Sequence, residues 1–269
     1  MKILITGSKG FVGSHLTGAI SQNHEVINYD IKEGRDIFNE NLLNKCLKNV
    51  DVVVHLAALV SGAESWEKPE EYLVNNGLGT YRVVEAAIKN KVKRIISFSS
   101  AAVYGKPLTP YGASKLWAET ILNMYKDQIE AVIVRPFNIY GVGQNPAYGY
   151  AIHNFSEGIR ERGEIEIFGS GNQTRDFVFI DDVVRVVEKL ILSPLPSGPV
   201  DLGTGKDIKI KDLAKIIGKI LGKKYNIKYL DARKEPFVSK ANLKALGKIG
   251  INVSDFTGIE KGLKSVLLK

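Results

Sequence analysis

Short apolar runs alternate with longer amphipathic stretches through the first half of the chain. "KILIT", "EVINYD", "DVVVHLAA", "RIISFSS" and "EAVIVRPFNIYG" are rich in β-branched residues, which predicts strands, the last with its exit loop. Between them, "GFVGSHLTGAISQN", "GTYRVVEAAIKN" and "SKLWAETILNMYKD" carry apolar residues at helical spacing. Strands separated by helices rather than tight turns predict a parallel sheet with crossover helices. Only "IKEGR" lies between Asp30 and Asp36, too little for the usual helix and strand, so the sheet is expected to be trimmed there. After Gly141 the pattern loosens into loops, one helix and short strands. "LSPLPSGP" reads as a linker before a last strand, "VDLGTG", and the rest predicts two or three short helices and a strand, "KKYNIKYL". The expected architecture is α/β. A doubly wound parallel sheet occupies residues 1–141, with residues near 174–205 returning to it. Residues 142–173 and 206–269 form a smaller, mainly helical lobe.

Composition narrows this picture only slightly. Over 269 residues, 44% hydrophobic and 25% charged is ordinary for a globular enzyme. No run of 18 apolar residues appears, so no membrane span is expected. Met1-Lys2 leads directly into a buried strand pattern, and the single cysteine, Cys46, allows no internal disulfide, which together give a cytoplasmic expectation. His15, His24, His55 and His153 are scattered without ligand spacing, so no metal is expected. The net charge of +8 is unevenly placed: Asp201 to Lys269 holds 16 Lys and Arg against 7 Asp and Glu. Those lysines alternate with apolar residues, as in "IKIKDLAKIIGKILGKK", and read as solvated helix faces rather than a nucleic-acid patch.

The first candidate chemistry is "ITGSKGFVGSHL", with Gly7, Gly10 and Gly13 between a strand and a helix. Glycines there let backbone amides reach a pyrophosphate, and the helix N-terminus adds its dipole. Asp30, at the end of the second strand, stands where a carboxylate binds an adenosine ribose and repels a 2′-phosphate. A Rossmann-type fold holding NAD in preference to NADP is the expectation.

The second is "SSAAVYGKPLTPYGASK". Tyr111 and Lys115, four apart, share one helix face, and Ser100 follows the strand "RIISFSS". A free phenol titrates near pH 10, too high for a base at neutral pH. A cation about 4 Å away at an effective dielectric near 20 is worth about 4 kcal/mol, or about three pK units. The positive nicotinamide ring of bound NAD⁺ would push the same way, so Tyr111 is expected to act as general base beside this hydride acceptor, with Ser100 hydrogen-bonding the substrate oxygen.

These residues resemble the extended short-chain dehydrogenase/reductases, and within them the NAD-dependent nucleotide-sugar epimerase/dehydratase group. The resemblance covers nearly the whole chain, through "TGSKGFVGSHL", "DVVVHLAAL", "NNGLGTYRVVEAA", "SFSSAAVYG", "YGASK", "RPFNIYG", "TRDFVFIDDV" and "DLGTGKDIKIKDL". It implies that Phe11 and Val12 join the glycines at the cofactor, that Asp36 and Ile37 flank adenine, and that Leu56, Ala57 and Ala58 line the groove. It also implies that Asn76, Ser99 and Pro136 lie beside the cofactor with Tyr111 and Lys115. Sugar-nucleotide contacts would fall on Asn138, Phe168, Arg175 and Arg233, together with Ser100 and Tyr111. A homodimer through the helices of "GTYRVVEAA" and "YGASKLWAE" is a further implication.

Departures from the group's pattern select among its activities. Dehydratases place an Asp-Glu pair directly after the hydroxyl residue, whereas Ala101 and Ala102 follow Ser100. The acidic loop common between serine and tyrosine is also absent. The expected reaction is therefore NAD-dependent inversion at C4 of a UDP- or dTDP-sugar of the glucose/galactose type, through a 4-keto intermediate. A 4-keto-sugar reductase or sugar dehydrogenase is the alternative, and a non-catalytic nucleotide- or RNA-binding module a remote one. Nucleic acid and membranes are not expected partners.

Overall fold

The computed structural model describes residues 1–146, 150–194, 198–233 and 235–268. In chain order the strands are β1 (Lys2–Thr6), β2 (Glu25–Tyr29), β3 (Val52–His55), β4 (Arg94–Phe98), β5 (Glu130–Pro136) and β6 (Asn138–Tyr140). They continue as β7 (Glu164–Phe168), β8 (Thr174–Phe179), β9 (Val200–Leu202), β10 (Asp207–Lys209), β11 (Asn226–Leu230) and β12 (Val238–Ser239). The α-helices are α1 (Phe11–Ile20), α2 (Glu40–Cys46), α3 (Pro69–Tyr72), α4 (Gly79–Lys89) and α5 (Pro110–Met124). They are followed by α6 (Ala151–Glu157), α7 (Ile180–Leu192), α8 (Ile210–Leu221), α9 (Lys244–Lys248) and α10 (Ile259–Leu267).

Two compact units emerge. The first comprises Met1–Pro136, Val184–Asp201 and Lys244–Ile251; the second comprises Phe137–Val183, Leu202–Leu243 and Asn252–Lys269. Where boundaries at 141, 173 and 205 are expected, the units divide after 136, 183 and 201, and α9, expected in the lobe, lies in the first unit.

The first unit is built on a six-stranded sheet in the order β2-β1-β3-β4-β5-β9. Strands β2, β1, β3, β4 and β5 run parallel. Ile3, Leu4, Ile5, Val52, Val53 and Val54 are all buried, because helices cover both faces of a parallel sheet. β2 forms the sheet edge, and only a short 3-10 turn, Ile31–Glu33, follows it, in keeping with the missing helix and strand. Arg94, at the start of β4, pairs with Glu130 at 2.6 Å and donates to the carbonyls of Leu190, Ile191 and Ser193. A cation at a helix C-terminus satisfies carbonyls that the helix itself cannot. It anchors the end of α7 to the sheet.

The register aligns the strand ends. Thr6 lies opposite His55, His55 opposite Ser97, and Phe98 opposite Val134. Residues just beyond these positions therefore gather at the carboxyl edge, where open α/β sheets bind ligands. In the second unit, β8 pairs with β6, β10 and β12, while β7 pairs with β11. There the buried Asp176 carboxylate accepts the amides of Thr204, Gly205 and Ala241, which folds the "LGTG" turn after β9.

Candidate active site

The glycine loop is tightly constrained. Gly7 has φ +69° and donates its amide to Tyr29 at 2.9 Å, and a Cβ on it would lie 2.7 Å from the Ala57 nitrogen. A Cβ on Gly13 would lie 2.2 Å from the Gly7 carbonyl oxygen. α1 then begins at Phe11 with Gly10 as its N-cap, no side-chain cap and no acid in its first turn. A helix start left open in this way, with a loop no side chain can fill, suits a dinucleotide's pyrophosphate. The Ser8 hydroxyl, buried without a hydrogen-bond partner, lies in the same loop.

Asp30 is 6% exposed and ties the loop to β2: its carboxylate accepts the Lys9 amide at 2.8 Å and the Lys32 amide at 2.9 Å. Each oxygen retains a lone pair for a ribose hydroxyl. The neighbouring cations are engaged elsewhere, Lys9 with Glu33 at 2.9 Å and Arg35 with the Asn28 carbonyl. Asp36 accepts the Phe38 amide on its side chain and the Tyr29 hydroxyl on its carbonyl. The Ile37 side chain is packed in the core. The Leu56 amide is shared between the Thr6 carbonyl at 3.1 Å and the Thr6 hydroxyl at 3.2 Å, and the Ala57 amide turns to that hydroxyl at 3.2 Å; they and Ala58 are half-buried, as are Phe11, Val12 and Pro136.

Ser100, Tyr111 and Lys115 come together at the tip of β4. Thr109 caps α5 by accepting the Gly112 amide at 3.0 Å, Pro110 opens it, and Tyr111 and Lys115 follow one turn apart. Ser100 accepts the Ala102 amide at 3.1 Å, and its hydroxyl is near enough to the Tyr111 phenol to lower it. The Tyr111 ring meets Tyr72 edge-on at 6.3 Å between centroids.

In the chain by itself, Lys115 gives the Tyr111 phenol less than their spacing suggests. Burial raises the Tyr111 phenol, and the neighbouring Ser100 hydroxyl lowers it only in part. The Lys115 amine is not turned to the phenol alone: it donates to the Phe98 carbonyl at 2.8 Å. Burial also lowers Lys115, to about 8, against the opposing pull of Glu119. A protein-only site thus keeps Tyr111 protonated at neutral pH. Further positive charge has to arrive with a ligand before the phenol can accept a proton.

Two supporting residues have roles that pattern alone did not reveal. Asn76 lies in a π-helical turn, Leu73–Leu78, a form frequent at functional sites. Its amide accepts from the Leu59 nitrogen and donates to the Leu59 carbonyl, both at 2.9 Å, and it also donates to Ser114. Asn76 therefore fixes the groove-lining segment to α5. His55 is 3% exposed and lies between two threonines. Thr80 gives its only proton to the Asn76 carbonyl at 2.6 Å, so it must accept from His55 Nε2 at 3.1 Å. His55 Nδ1 then accepts the Thr6 hydroxyl at 2.7 Å.

Burial first, and Lys115 second, push His55 down to about 3. An unfolded histidine titrates near 6.5, so between pH 6.5 and about 3 the unfolded chain binds a proton that the folded one does not. Stability should be full above pH 6.5 and fall below it, by about 1.4 kcal/mol per pH unit. Denaturant titrations from pH 4 to pH 7 should show a slope smaller by about one proton in His55→Gln. Equal slopes would contradict this account.

In the second unit, Arg233 stacks on the Phe168 ring with its guanidinium 3.5 Å from the centroid. Arg175 pairs with Glu235 at 2.7 Å and donates to the Thr174 and Pro236 carbonyls. Asn138 donates to the Asp176 carbonyl at 3.0 Å. Among the described residues no group of three or more His, Cys, Asp or Glu is placed to hold a metal ion. No helix among them is long and apolar enough to cross a membrane.

Comparison with known proteins places this geometry. The model of the NAD dependent epimerase/dehydratase family matches residues 3–200. The chain is 33% identical over 253 residues to a putative UDP-glucose 4-epimerase of Methanocaldococcus jannaschii, covering 82% of each. It resembles a UDP-N-acetylglucosamine 4-epimerase from Methanobrevibacter ruminantium M1, solved with UDP-N-acetylmuramic acid, at TM-score 0.92 and 28% identity. That likeness covers 99% of this chain and 97% of that one. MoeE5, solved with UDP-glucuronic acid and NAD, matches at TM-score 0.89 and 30% identity over 100% of this chain and 98% of its own. With the family model spanning most of the sequence and a glycine loop and Ser-Tyr-Lys set in place, this chain belongs to the NAD dependent epimerase/dehydratase family.

Proposed function

We propose that the protein inverts C4 of a UDP-sugar of the glucose/galactose type with bound NAD. The observation that carries this reading is the assembly of Ser100, Tyr111 and Lys115 at one strand tip, followed by Ala101 and Ala102 rather than acids. A 4-epimerase needs one group to take and return one proton. Dehydration would need a further acid and base.

NAD, when bound, supplies the hydride acceptor and donor. Gly7, Gly10, Gly13 and the α1 N-terminus would hold its pyrophosphate, and Asp30 a ribose. The groove would be lined by Phe11, Val12, Asp36, Ile37, Leu56, Ala57, Ala58, Asn76, Ser99 and Pro136. The Asp30 carboxylate, which would repel a 2′-phosphate, favours NAD over its 2′-phosphorylated form.

Ser100 holds the sugar's 4-oxygen while Tyr111 accepts its proton, and Tyr111 returns that proton after the 4-keto sugar turns over. Lys115 must be protonated to assist the phenol, so activity should decline above pH about 8 as its ammonium is lost. Arg175 and Arg233 supply guanidinium groups suited to a diphosphate, Arg233 lying on Phe168, with Asn138 in the same unit. Arg175 would exchange Glu235 for phosphate oxygens.

The test is incubation of purified protein with UDP-, dTDP- and GDP-sugars, read by NMR for the C4 epimer. UDP-glucose should yield UDP-galactose with no net NADH. Stoichiometric NADH would identify a dehydrogenase instead, and the absence of any epimer across the panel would end the proposal.

A further inference from the structure

Three residues of α5 grip three consecutive residues beyond and at the end of β4. Tyr111, Lys115 and Glu119 recur every fourth position and so share one helix face. Tyr111 neighbours the Ser100 hydroxyl, Lys115 donates to the Phe98 carbonyl at 2.8 Å, and Glu119 accepts the Ser99 hydroxyl at 2.5 Å. The first two rungs belong to the proton-transfer set. The third does not: Glu119 is 3% exposed and has no surface for a substrate.

We infer that Glu119 is a positioning residue for this reaction, holding the Ser99–Ser100 segment in register with Tyr111 and Lys115. Its reach extends beyond one strand. Arg135 donates to it through Nε at 2.8 Å and Nη2 at 2.5 Å, a forked pair of charge-assisted bonds. Arg135 also donates to the Tyr104 hydroxyl at 2.7 Å, and Tyr104 donates to Asp201 at 2.7 Å. The guanidinium lies over the Tyr104 ring, 4.9 Å from its centroid. One carboxylate therefore ties the tips of β4 and β5 to α5, and through Tyr104 to β9.

Stability alone is a poor reason for such a pair. Burying two charges is often no better than packing apolar side chains in their place. Placement is a better reason, because a displacement of ~1 Å at a catalytic group costs about 10²-fold in rate. Glu119 holds the residue next to Ser100 from the helix that carries Tyr111. Among the charged groups around Lys115, Glu119 acts from its own helix, His55 faces it from β3 as a neutral ring, and Tyr111 lies one turn away. Removing the carboxylate should therefore also let the Lys115 ammonium lose its proton at lower pH.

The rate arm of the test rests on the proposed function, but the structural arm does not. Full-length wild type, Glu119→Gln and Ser99→Ala are compared by amide hydrogen exchange without substrate. Exchange at Ser99 to Ala102 should rise about tenfold in both variants while Leu4 to Thr6 stay unchanged, since local opening is independent of the sheet centre. With NAD saturating and the epimerised sugar as substrate, kcat should fall about 10²-fold in Glu119→Gln and about 10-fold in Ser99→Ala, with KM within about twofold. The alkaline limb of kcat should also move to lower pH in Glu119→Gln.

Ser99→Ala keeps the Glu119–Arg135 pair, so a purely structural ion pair would leave its kcat untouched. Wild-type exchange at 99–102 in both variants, or kcat within about twofold of wild type in both, would overturn the inference. A wild type that epimerises nothing refutes the proposed function, and the exchange arm then decides the positioning role by itself.

Discussion

Tyr111→Phe should lower kcat by about 10³- to 10⁴-fold while leaving the fold and cofactor affinity in place. The phenylalanine ring keeps the edge contact with Tyr72 and the burial that seats it at the start of α5. Only the hydroxyl is lost, and with it the influence of the neighbouring Ser100. That hydroxyl is the atom that moves the proton, so the loss appears in kcat rather than KM. Single-turnover reduction of bound NAD by the sugar nucleotide should be slowed as strongly as steady-state turnover. Activity within tenfold of wild type would show that another group accepts the proton, and the assignment of Tyr111 would fail.

The second large effect is expected in the cofactor loop. Gly13→Ala places a methyl 2.2 Å from the Gly7 oxygen and 2.7 Å from Ser8 Cα, both backbone atoms that no rotamer change can move. Either α1 shifts from β1 or the loop opens, and both change the aim of the amides at the α1 N-terminus. Overpacking of this kind costs about 2 kcal/mol, or ~5 °C in Tm. NAD affinity should fall about 100-fold, equivalent to ~3 kcal/mol. Calorimetric titration of wild type and variant with NAD measures it directly. An unchanged Kd would mean that the pyrophosphate is held elsewhere.

Much of this site was legible because its parts are local. The glycine loop, Asp30 at a strand end, and a Tyr and Lys one helical turn apart are patterns within a few residues, and backbone geometry converts each into a defined placement. The trimmed sheet was legible too, since five residues cannot make a helix and a strand. The electrostatics were not. A cation four residues from a phenol suggested acidification, but burial acts on both groups, and a carbonyl from β4 takes the ammonium. Neither effect leaves a mark on the spacing.

His55 illustrates the same limit. In the sequence it is one residue within the apolar strand pattern "DVVVHLAA"; in the fold, Thr6 from 49 positions before it and Thr80 from 25 after it fix its tautomer. Glu119 likewise belongs to no motif in the sequence, only to the helical stretch "SKLWAETILNMYKD". Its partners Ser99 and Arg135 are 20 and 16 residues away and meet it only because β4 and β5 are neighbours in the sheet. The chain's local order therefore determined which elements form and which chemical groups stand at their ends, since helix turn and strand period are short-range properties. Tertiary structure alone decided which groups are dry and which charges face each other, because burial and long-range partners depend on strand order, which no short stretch of residues contains.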